Sequence, residues 1–136
     1  MSGPSLRQMR ARDMVRYSRY VVPRFAGVVA ELDGKEIGAA AIVIGDKGRP
    51  FLSMEMTDAL RRFPKFMHRT AKQLTDAGVS QLGALYAIES QKEPGAGKWL
   101  HRLGFVPTDE LIGGERVFAH GSHYCSPRGS RDVPGR

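Results

Sequence analysis

Hydrophobic residues along this chain fall into alternating runs and helical stripes, punctuated by glycine and proline. Alternation is clearest over 51–57, where Leu52, Met54 and Met56 take turns with Ser53, Glu55 and Thr57. That is the pattern of a half-buried strand with Glu55 on its more polar face. Two β-rich runs precede it, 25–32 and 36–44. The Asp33-Gly34 dipeptide between them favours a type I′ turn, so the pair reads as a hairpin. Gly45-Asp46-Lys47-Gly48-Arg49-Pro50 is a second turn cluster. Further runs at 106–112 and 115–120 flank Gly113-Gly114 and predict a last hairpin. Leu6 to Met9 and 81–88 read as two more strands.

Helical spacing is strongest over 63–77, where Phe63, Phe66, Met67, Thr70, Ala71, Leu74 and Ala77 make one stripe. Lys65, Arg69, Lys72 and Asp76 lie off it, Pro64 suits the first turn, and Gly78 is the expected C-terminal cap. Pro94 opens a second helix with Ala96, Trp99, Leu100 and Leu103 on one side. Gly104 stops that helix, and Phe105 supplies the hydrophobic contact of a Schellman ending. Near the start, Asp13 is the expected N-cap of a brief helix through Tyr20, ended by Val21, Val22 and Pro23. From Gly121 onward the chain is mostly Gly, Ser, Pro and Arg, a tail without core-forming pattern. No internal repeat is present. Strand-helix-strand units beside antiparallel hairpins predict an α/β domain, a mixed sheet with helices packed on it.

A length of 136 residues suits one domain. Such a domain buries roughly two-thirds of its unfolded surface, enough for a core without disulfides or metal. No apolar run approaches the roughly 18 residues of a membrane span, so no membrane partner is expected. The single cysteine, Cys125, excludes an intrachain disulfide framework. Residues 1–12 carry charge with no hydrophobic segment behind them, unlike a secretory signal. A cytoplasmic setting is the expectation.

Charge divides the chain into three parts. Residues 1–24 hold six arginines against Asp13, a balance of +5, and 121–136 hold three against Asp132, a balance of +2. The body, 25–120, has twelve basic and twelve acidic residues. Basicity therefore belongs to an N-terminal arm and a C-terminal tail. Such arms attract nucleic acid, acidic protein surfaces in an assembly or membrane head groups, or merely aid solubility.

The element order, with Leu103-Gly104-Phe105 closing the second major helix and Glu36-Ile-Gly-Ala-Ala-Ala-Ile-Val43 after the Asp-Gly turn, resembles the GNAT superfamily of acyl-CoA-dependent N-acyltransferases. The resemblance covers about residues 25–120. It implies a central mixed sheet flanked by helices, acetyl-CoA or another acyl-CoA as cofactor, and an amine acceptor that nothing in the sequence specifies. In that superfamily the cofactor's pyrophosphate lies on a glycine-rich loop at the start of the helix matching 63–77. Free backbone N–H groups and the helix dipole favour an anion there. This chain has no glycine between Met56 and Phe66. The resemblance places cofactor binding at Met56, Thr57, Arg61, Arg62 and Lys65, with the three cations replacing the glycines. The same cations also read as solvated residues at the edge of an amphipathic helix.

Glu55 matches the strand where some members carry a general base, and a carboxylate removes a proton from an amine if its pKa is raised or water relays the proton. It reads equally as an ordinary polar-face residue. The tyrosine that many members use to protonate the departing thiolate is replaced by Leu100, and register alone assigns the role to neither Trp99 nor His101. Ser90, Gln91 and Glu93 occupy the region where an asparagine often precedes that helix. His120, His123 and Cys125 are zinc-type ligands within six residues but lack a fourth, so no metal site is expected. Trp99 and the phenylalanines at helical spacing read as core rather than base-stacking surfaces. These departures leave a second expectation beside the enzyme: a catalytically degenerate structural or binding protein on the same scaffold. Small proteins of this type occur among phage proteins, which makes a virion component the form that alternative takes.

Overall fold

The computed structural model describes residues 3–14 and 27–121. Among these residues the strands are β1 (Ser5–Gln8), β2 (Val28–Leu32), β3 (Lys35–Ile44), β4 (Pro50–Met56), β5 (Leu85–Ile88), β6 (Val106–Ile112) and β7 (Glu115–His120). The helices are α1 (Ala11–Met14), α2 (Asp58–Arg61), α3 (Pro64–Leu82) and α4 (Ala96–Leu103). One mixed sheet runs in the order β1-β2-β3-β4-β5-β7-β6. Every neighbouring pair is antiparallel except β4 and β5. The fold is therefore the mixed α/β architecture that the pattern predicts. No helix among the described residues is long and apolar enough to cross a membrane.

The local signals account for the hairpins. Asp33 and Gly34 both have positive φ, 53° and 80°, as a type I′ turn requires. Alternation along β3 sends Ala39, Ala41 and Val43 to one face, where they join Val29, Phe51, Tyr86 and Val117. Ile42 goes to the other face with Leu52, Leu85, Ala87 and Phe118, under Ala71 of α3 and Leu100 and Leu103 of α4. The ending of α4 has both bonds of a Schellman motif. The Gly104 N–H donates to the His101 carbonyl and the Phe105 N–H to the Leu100 carbonyl, each at 3.0 Å. Phe105 is completely buried as a result, a burial that stabilises by about 1.5–3 kcal/mol.

Four expectations need correction. The long helix does not end at residue 77. It runs to Leu82, and Gly83 takes the left-handed cap at φ 84°. Gly78 lies inside the helix because a Cβ there would stand 2.7 Å from Ile42 Cδ1; it is a close-packing glycine and not a cap. Strand β5 accordingly starts at Leu85 and not at 81. Asp13 is not an N-cap: it sits within α1, and its carboxylate accepts from the Arg10 N–H at 2.7 Å and from Arg7 at 2.9 Å. The stretch between β4 and the long helix, to which no element is assigned from sequence, contains α2. The remainder of the expected 13–20 helix, and Phe25 and Ala26 of the expected 25–32 strand, lie outside the described residues.

One side-chain contact ties the second half of the sheet together. The Arg49 guanidinium lies 4.8 Å from the Tyr86 ring centroid and 5.5 Å from that of Phe51. From there it forks onto Glu110, with Nη1–Oε1 at 2.9 Å and Nη2–Oε2 at 2.7 Å. This joins the start of β4 to β6 across β5 and β7. The Arg49 fork holds the Glu110 carboxyl below its ordinary 4.5, despite the opposing cost of desolvation. A depressed carboxyl contributes stability above its unfolded value and loses it as pH falls through its folded value. Removing Glu110 takes the two-point partner from a largely enclosed guanidinium, which keeps Asp46 at 3.2 Å, and hydrogen bonds to charged groups are worth about 1.5–3 kcal/mol. Glu110→Ala is therefore expected to lower urea stability at pH 7 by about 1–3 kcal/mol. The gap from wild type should close below the ordinary 4.5 of this carboxyl. Equal stability of the two proteins at pH 7 contradicts this role.

Candidate active site

Strands β4 and β5 run parallel but meet at one register position only, Phe51 opposite Tyr86. Beyond it, β4 continues to Met56 and β5 to Ile88 without pairing. A cavity of about 190 Å³ lies between the parted ends. Leu52, Met54 and Met56 line one wall, Ala87 and Ile88 the other, and Ala96, Trp99 and Leu100 of α4 form its base. Ser90 and Glu93, from the loop leading into α4, are its polar residues. Parting leaves the β5-facing peptide groups of β4 beyond Phe51 without a strand partner, and such groups seek one. A ligand with its own amides can supply it.

α2 borders this cleft through the contact of its Arg61 with Glu93, and α3 follows it in the chain. Thr57 caps α2: its Oγ1 accepts from the Leu60 N–H at 3.2 Å and donates to the Ile37 carbonyl at 2.6 Å. The cap turns the chain so that Leu60 drops into the sheet where Gly38 has no side chain; a Cβ there would stand 2.6 Å from Leu60 Cδ2. Pro64 then starts α3, and the N–H groups of Lys65 and Phe66 have no intrahelical acceptor. No acidic residue lies in the first turn of α3 to offset the positive end of its dipole.

The expected cofactor residues divide accordingly. Met56 lines the cavity and packs toward Leu60. Thr57 is engaged in the cap described above. Arg61, Arg62 and Lys65 are exposed, and of the three Arg61 reaches a residue of the cavity lining, Glu93. Neither Arg62 nor Lys65 makes an ion pair among the described residues, whereas Arg61 makes two. Its Nη1 meets Asp58 Oδ1 at 2.8 Å, and its Nη2 and Nε meet the Glu93 carboxylate at 2.7 and 3.1 Å. These contacts, Glu93 first, raise the Arg61 pKa above its ordinary value.

Glu55 is exposed and lies opposite Ala39 on the sheet face away from α4, while Met54 and Met56 on either side of it line the cavity. The cavity wall and the expected base therefore occupy opposite faces of one strand. Leu100, where the tyrosine of many GNAT members would fall, is buried and apolar at the cavity base. His101 is exposed. The Trp99 side chain lines the cavity, although its Nε1 is enclosed without a hydrogen-bond partner. His120 stacks edge-on against Phe105, and burial lowers its pKa. His123 and Cys125 lie outside the described residues. Sequence reasoning missed the pairing of Glu93 with Arg61, because 32 residues separate them and only the fold brings them together.

No family model and no curated protein sequence matches this chain. Solved structures do. A GNAT-family acetyltransferase from Staphylococcus aureus superposes with a TM-score of 0.64 at 10% identity, over 88% of this chain and 99% of that one. An acetyltransferase from Agrobacterium tumefaciens gives 0.62 at 14% identity, over 88% and 91%. A Salmonella typhimurium protein solved with its cofactor acetyl-CoA gives 0.60 at 13% identity, over 93% and 98%. At these identities the likeness speaks to architecture, and it extends over nearly the whole of each chain. The protein has the GNAT acetyltransferase fold.

Proposed function

We propose that this protein binds an acyl-CoA in the β4–β5 cleft and transfers the acyl group to an amine. The observation that carries the reading is the parted parallel pair itself, an apolar slot along which β4 has no β5 partner beyond Phe51, with Arg61 reaching Glu93 of its lining. The amides of a pantetheine arm suit such peptide groups, and its thin, largely apolar chain suits the slot. Arg61, Arg62 and Lys65, with the free N–H groups that open α3, suit a pyrophosphate. The Salmonella typhimurium protein of the same fold, solved with acetyl-CoA, supports the same cofactor here.

When bound, the acyl-CoA supplies a thioester carbon open to attack. The amine nitrogen bonds to that carbon and the carbon–sulfur bond breaks. The amine gives up a proton and the departing thiolate takes one. Glu55 faces away from the cavity, so the acceptor amine approaches from the face opposite α4, with Glu55 taking its proton directly or through water. Leu100 cannot donate a proton, which leaves solvent to protonate the thiolate. Holding both reactants in line supplies most of the acceleration, so such a site works without a dedicated acid, though more slowly. The glycine-free α2 turn and Leu100 favour a second reading, a binding scaffold without turnover.

Two measurements separate these readings. A ligand that binds only the folded state stabilises it by RT ln(1 + [L]/Kd), about 2.7 kcal/mol at a hundredfold excess over Kd. The melting temperature is expected to rise steadily with CoA and acetyl-CoA; a flat response through millimolar ligand ends the acyl-CoA reading. In a turnover assay with acetyl-CoA and a panel of amines, Glu55→Gln is expected to reduce kcat at least tenfold with little change in cofactor affinity, since a base acts on the amine alone. An unchanged kcat removes Glu55 from the reaction. Cofactor binding without turnover on any amine favours the scaffold.

A further inference from the structure

Glu93 has no part in the scheme above, yet it holds the best-placed cation at the cleft mouth. Its carboxylate lines the cavity, and both of its oxygens engage Arg61, at 2.7 and 3.1 Å. This is the planar, two-point pairing that arginine also makes with a phosphate. The pair spans the gap from α2, beyond β4, to the loop beyond β5, the two segments that the strand parting separates. Any ligand that fills the slot and leaves through this mouth passes the Arg61–Glu93 contact. An anionic portion would be attracted by Arg61 and repelled by Glu93.

Extending the acyl-CoA reading, on which this rests, we infer that Glu93 is an internal stand-in for the cofactor's phosphate, occupying Arg61 when the cleft is empty and setting how tightly the anionic part of the cofactor is held. Three observations favour displacement over a fixed brace. Arg61 retains 41% side-chain exposure and Glu93 25%, so the pair is open to an incoming anion on the solvent side. The second Arg61 contact, Asp58 at 2.8 Å, comes from its own helix and keeps the guanidinium in place once Glu93 leaves. The polypeptide at Glu93 is held by turn bonds of its own, Glu93 N–H to the Ser90 carbonyl at 3.2 Å and Ala96 N–H to the Glu93 carbonyl at 3.1 Å, so the side chain can swing without disturbing the backbone. An exposed pair of this kind is weak, so a pyrophosphate can readily replace it. Glu93 is thus a specificity-determining residue: it weakens retention of the phosphate-bearing part and leaves the phosphate-free arm untouched.

The test compares CoA with pantetheine, which lacks the phosphates, by calorimetric titration of wild type, Glu93→Gln, Arg61→Gln and the double variant. Glu93→Gln is expected to tighten CoA binding about fivefold, the equivalent of freeing one exposed ion pair, and to leave pantetheine unchanged. Arg61→Gln should weaken CoA, and in its presence Glu93→Gln should give a clearly smaller gain. Equal or weaker CoA binding by Glu93→Gln overturns the inference while leaving the acyl-CoA reading standing. Equal gains for CoA and pantetheine overturn it as well. Absence of CoA binding by both wild type and Glu93→Gln overturns the acyl-CoA reading itself, and the inference with it.

Discussion

The structure depends on a parallel strand pair that is allowed to touch only once. β4 and β5 meet at Phe51 and Tyr86 and then separate, and almost every feature of the site follows from that separation. At the closed end, Arg49 stacks over both aromatic rings and forks onto Glu110, which anchors the pair and ties it to the far edge of the sheet. At the open end, Leu100 and Trp99 of α4 underlie the gap and keep apolar side chains along its floor. A sheet tolerates such a defect only where something compensates the lost ladder bonds. That requirement links the fold to the proposed ligand, since an amide-bearing arm laid in the gap completes the ladder.

Much of this is legible in the amino-acid sequence alone. The alternation of Leu52, Met54 and Met56 with Ser53, Glu55 and Thr57 fixed the two faces of β4, because strand periodicity is local and strict. The Asp33-Gly34 turn and the Leu103-Gly104-Phe105 ending were equally readable, for each depends on backbone conformations within a few residues. Gly78 was misread because a glycine near a helix end looks the same whether it caps or packs. Contact with Ile42 and Leu85, more than residue pattern, decides which. Asp13 was misread for a related reason: an aspartate suits a helix start, but its backbone partner turned out to be Arg10, three residues before it.

The candidate site was less legible than the fold. Its cations were visible as Arg61, Arg62 and Lys65, but their company was not, since Glu93 reaches Arg61 across the sheet gap from 32 residues away. Likewise, α2 forms where no element is assigned from sequence because Thr57 can cap it and Leu60 can fill the space above Gly38. That helix holds Arg61 between Asp58 and Glu93 in a glycine-free sequence.

The central claim is that a ligand completes the unpaired side of β4. Hydrogen exchange followed residue by residue, with and without saturating CoA, tests it most directly. The account predicts that CoA slows exchange at the β5-facing amides between Ser53 and Met56 and at Lys65 and Phe66, while the β3-facing amides of the same stretch and the β6–β7 hairpin are unaffected. Unchanged exchange along β4, or protection confined to another part of the sheet, contradicts it.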